Sequence, residues 1–61
     1  MKNSRYYSYE TGLVPRRDAL RVFLKQAGIV YELSGCFDAF HFEILATPEQ
    51  LERINAFLDT L

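Results

Sequence analysis

The chain lacks most of the devices that brace a protein of its size. Among 61 residues there is one cysteine, Cys36, and one histidine, His41. A lone thiol closes no intrachain disulfide, so the core has no covalent brace, and a reducing cytoplasm is the simplest compartment. Glycine and proline are scarce, at three and two residues, and no low-complexity tract occurs. That excludes a disordered tail or linker. Apolar runs are no longer than three or four residues, far short of the ~20 that a membrane-spanning helix requires. Met1-Lys2-Asn3-Ser4-Arg5 leads into tyrosines rather than an apolar stretch, so no secretory signal is expected.

What is present describes a single domain over residues 1–61. Apolar residues make up 49% of the chain and charged residues 25%, a balance that folds but cannot fill two cores. A chain this short buries only ~60% of the surface it exposes when unfolded, which disfavours a deep enclosed active site. The formal charge of -1 argues against a general DNA coat needing many phosphate contacts. The charge is nonetheless divided. Through Lys25, six cations oppose two carboxylates; from Gln26 onward, Arg53 alone opposes six carboxylates. Such a chain steers partners or pairs its own halves.

Local patterns place five elements. Three tyrosines within Ser4 to Glu10 indicate a strand. Pro15 suits the first turn of a helix whose apolar face is Leu20, Phe23, Leu24 and Ala27, and Gly28 suits its end. Ile29 to Ser34 and Ala39 to Leu45 alternate apolar and polar residues around a turn over Ser34 to Asp38, predicting an antiparallel hairpin. Thr47-Pro48-Glu49-Gln50 carries a helix-capping signature, and Leu51, Ile54, Phe57, Leu58 and Leu61 form the face behind it, with Leu61 expected to dock.

The fold class that follows is α+β: a two-layer sandwich in β-α-β-β-α order, with two helices on one face of a three-stranded sheet. With the first strand parallel beside the third, this is a truncated ferredoxin-like pattern without its last strand. The first strand would then keep an unpaired edge, and self-association through that edge or through the open sheet face is expected.

Candidate interaction residues fall into three sets. Tyr6, Tyr7 and Tyr9 on one strand of a sheet with an open face could stack single-stranded nucleic acid. Arg17, Arg21 and Lys25, spaced i, i+4, i+8, form a basic stripe that could hold phosphates or an acidic partner, or could meet Glu52 and Asp59 of the second helix. His41 is expected half exposed beside Glu32 or Glu43, where a carboxylate favours its protonated form. Cys36 and His41 alone supply too few ligands for a metal and no orienting group for a nucleophile. No catalytic, metal or cofactor site is therefore assigned. Thr11 to Leu33, with a glycine loop, an amphipathic helix and Ala27-Gly28-Ile29 entering a strand, superficially resembles small-molecule-sensing ACT-type modules over about a third of the chain, without their diagnostic residues. The expected function is a non-enzymatic regulatory module that binds a protein partner or itself as a homodimer, away from membranes. The alternatives are single-stranded nucleic-acid binding and compact inhibition of a larger enzyme.

Overall fold

The strand from Ala39 to Ala46 organises the molecule. Phe40, Phe42, Ile44 and Ala46 are buried at alternate positions, while the residues between them are partly or fully exposed. One face is therefore core and the other is open. The computed structural model describes residues 3–36 and 39–61. Its elements are β1 (Arg5–Thr11), α1 (Val14–Ala27), β2 (Val30–Cys36), β3 (Ala39–Ala46) and α2 (Pro48–Asp59), with the sheet in the order β1-β3-β2.

This is the expected α+β class and element order, with one correction of direction. β1 pairs antiparallel with β3, not parallel. The reason is topological: α1 returns the chain so that β1 and β2 run the same way, and β3, which turns back from β2, opposes both. Central β3 thereby receives ladder bonds on both sides, and the two outer strands each have one unpaired edge within the described sheet.

Each helix ends where its local chemistry says it should. Gly28 adopts φ 71°, a left-handed conformation open to glycine at little cost. Its N–H donates to the Lys25 carbonyl at 3.2 Å, and that of Ile29 donates to the Leu24 carbonyl at 3.0 Å. Together these close a Schellman motif. At α2 the capping box is complete: Thr47 Oγ1 accepts from the Gln50 N–H at 3.2 Å, and Gln50 Oε1 accepts from the Thr47 N–H at 2.9 Å.

The predicted turn is shorter than expected. Ser34, Gly35 and Cys36 stay in the ladder opposite His41, Phe40 and Ala39, while the rest of that turn, residues 37 and 38, lies outside the described residues. Gly35 makes the tight approach possible. At φ 108°, a Cβ built on it would sit 2.0 Å from the Ala39 carbonyl oxygen.

Both helices cover the same sheet face. Leu20 and Leu24 of α1 and Ile54 of α2 join Ile29, Phe42, Ile44 and Ala46 in one buried cluster. Phe23 and Phe57 stack at 4.4 Å and join the helices to each other. Three expected core residues are not in it. Leu51 is only partly buried. Ala27, in the last turn of α1, is exposed. Leu61 lies past the end of α2 and remains 46% exposed, bordering a shallow cleft with Leu13, Pro15 and Arg16. Among the described residues, no helix is long and apolar enough to cross a membrane.

Candidate interaction surfaces

Alternation along β1 separates the three tyrosines. Tyr7 and Tyr9 lie opposite Ile44 and Phe42 and pack with the core on the helix side. Tyr9 meets the Phe42 ring at 6.3 Å, and its hydroxyl accepts a bond from Arg16 Nη1 at 3.4 Å. Tyr6 alone reaches the open face, where it is 70% exposed. An aromatic platform for stacked bases is thus not assembled from Tyr6, Tyr7 and Tyr9, because neighbours on a strand point to opposite faces.

The open face is arranged in rows across the strands. Tyr6, Leu45 and Val30 lie in register and form an apolar row at one end. Ser8, Glu43 and Glu32 form the next row, with the Ser8 hydroxyl donating to Glu43 Oε2 at 3.0 Å. Glu10, His41 and Ser34 form the third. The His41 ring is clasped from both sides: Nδ1 lies 3.1 Å from Glu10 Oε2, and Nε2 lies 3.5 Å from Glu43 Oε2. The hydrogen bond to Glu10, foremost, and the contact with Glu43 raise the imidazole pKa above its ordinary value, against a smaller opposing effect of partial burial. Glu10 was the partner that local sequence reasoning missed. It is distant in the chain, and only the β1–β3 register places it beside His41. Glu32 instead lies opposite Glu43.

The basic stripe is real but faces away from the second helix. Leu20 and Leu24 mark the buried line of α1; Phe23, on one side of it, meets α2 through Phe57. Arg17, Arg21 and Lys25 flank the opposite side and share a groove with Val22 of the same helix and Tyr31 of β2. Glu52 and Asp59 therefore make no ion pair with the stripe among the described residues. Asp18 is the acidic neighbour instead, 2.9 Å from Arg17 and 3.7 Å from Arg21. The Arg17 guanidinium also lies 4.5 Å above the Phe40 ring.

In the hairpin, His41 stands opposite Ser34, and the Cys36 side chain lies outside the described residues. Among the described residues no three His, Cys, Asp or Glu side chains converge as metal ligands would. Comparison with protein-family models, with curated proteins and with solved structures returns no match to this chain.

Proposed function

We propose that the protein is a non-catalytic interaction module that self-associates through the outer edge of β1, continuing its sheet into a second copy. The observation that carries this reading is the character of that edge. β1 pairs with β3 along all seven residues without a bulge or a proline. Its centre, Tyr6 to Tyr9, is uncharged, and its ends carry opposite charges, Arg5 and Glu10. Antiparallel pairing about a two-fold axis at Ser8 sets Arg5 opposite Thr11 and Glu10 opposite Tyr6, so like charges of the two copies stay apart. It also sets Tyr7 against Tyr9, an aromatic cross-strand pair that covers two half-buried rings.

The other edge disfavours the same use. Pairing β2 with its own copy would bring two sets of Arg21 and Lys25 together across the joint, a like-charge contact that costs association. One strand edge is a small interface, so a dissociation constant of about 1–100 μM is expected.

Sedimentation equilibrium tests the reading. From about 1 μM to about 1 mM, the range that brackets such affinities, the mass should rise from 7.1 kDa toward twice that value. Tyr7→Pro should abolish the rise. Ser8→Lys should do so while keeping the fold, because the new ammonium meets Glu43 within one copy but its own counterpart at the axis. A monomer across the whole range, or a Ser8→Lys variant that associates like the parent, would overturn the proposal.

A further inference from the structure

The groove between α1 and the free edge of β2 has a different chemistry, independent of the self-association at β1. It is lined by Arg17, Asp18, Arg21, Val22, Lys25 and Tyr31, with three cations against one carboxylate in a chain whose net charge is -1. Arg17 is already occupied by Asp18 and the Phe40 ring, whereas Arg21 reaches Asp18 only at 3.7 Å. Lys25 makes no ion pair or side-chain hydrogen bond among the described residues. Tyr31 forms the floor, its ring 5.9 Å from that of Phe42. Beside it runs β2, whose outer N–H and C=O groups have no strand partner in the described sheet.

We infer that this edge accepts an extended acidic peptide segment of another protein, added as a strand beside β2. The spacing of the cations supports that form of ligand. Successive positions i and i+4 on a helix rise ~6 Å, and residues i and i+2 on a strand advance ~6.7 Å. Every second side chain of an added strand therefore keeps step with Arg17, Arg21 and Lys25. The alternate side chains would emerge on the open face beside Val30, Glu32 and Ser34, where Glu32 repels another carboxylate. The segment that fits is acidic at every second position and uncharged or basic between. A nucleic-acid strand suits the site less well: it has no amide ladder to offer the edge, and Glu32 and Glu43 line the adjoining face.

Fluorescence anisotropy with a labelled peptide alternating glutamate and threonine tests this directly. Binding should weaken as salt rises. The double variant Arg21→Glu with Lys25→Glu, whose sites are both exposed, should bind about tenfold more weakly or worse. The same peptide N-methylated at alternate residues, along the side that faces β2, should also lose binding, which distinguishes strand addition from simple charge attraction. Peptide affinity unchanged by the double variant, or by N-methylation, would overturn the inference. So would single-stranded oligothymidylate binding more tightly than the peptide. Ser8→Lys, which addresses the β1 edge, should leave peptide affinity unchanged, so the two proposals fail separately.

Discussion

The two edges of the sheet are equal in length and opposite in character. β1 and β2 each contribute seven residues, each pairs antiparallel with β3, and each sends two half-buried apolar side chains toward the helices, Tyr7 and Tyr9 from one, Tyr31 and Leu33 from the other. They differ in where charge lies. β1 keeps its charges at its ends and of opposite sign, which suits an antiparallel copy of itself. β2 carries Glu32 near its centre and lies under the cationic flank of α1, which opposes its own copy and suits a foreign acidic strand. A free strand edge invites pairing in general; what stands around it decides with what.

The largest effect that would break this contrast is at Gly35. Gly35→Ala adds a Cβ against backbone at a φ of 108°, a clash that no side-chain rotation relieves. It should cost about 2–4 kcal/mol in urea unfolding and loosen the β2 end first. Stability unchanged by Ala would mean that the hairpin does not hold β2 in the register described.

A smaller effect sharpens the contrast. Arg5→Glu makes both ends of β1 acidic and should weaken self-association by about 0.5–1 kcal/mol, severalfold in dissociation constant. Glu32→Lys on the other edge should leave self-association unaltered. Equal effects at both positions would erase the distinction between the edges.

The smallest effect concerns His41, which links β1 to β3 across the open face. Its folded pKa is raised, first by the hydrogen bond to Glu10. The stabilisation is therefore complete below the unfolded value of about 6.5 and fades as pH rises through the higher folded value. Proton NMR of the imidazole should give a midpoint above the ordinary one, and Glu10→Gln should lower it. A midpoint unmoved by Glu10→Gln would show that β1 does not hold the register that brings the two together.

Much of this arrangement is legible from local pattern. The alternation in β3, the Thr47 capping box and the Gly28 helix end each depend on a few neighbouring residues and appear where expected. Properties that depend on strand order are not legible in that way. The pairing of Glu10 with His41 and the position of the basic stripe over β2 are set by which strand lies beside which, and no local spacing encodes that, whereas the direction of β1 follows from the return of the chain through α1. The tyrosines fall between these cases. Their strand is readable, and alternation alone puts Tyr7 and Tyr9 on one face and Tyr6 on the other, but which of those faces the helices cover is not encoded locally. The strands of the hairpin run longer than local pattern predicts because Gly35, a turn former by type, serves as a strand residue where two backbones come close.

Amide hydrogen exchange, followed residue by residue as protein concentration increases, bears most directly on the claim that β1 is the self-pairing edge. The outward-facing amides of β1 should gain protection between dilute and concentrated solution, while those of β2 exchange at the same rate throughout. Concentration-independent exchange along β1, or protection growing at β2 instead, would contradict the account.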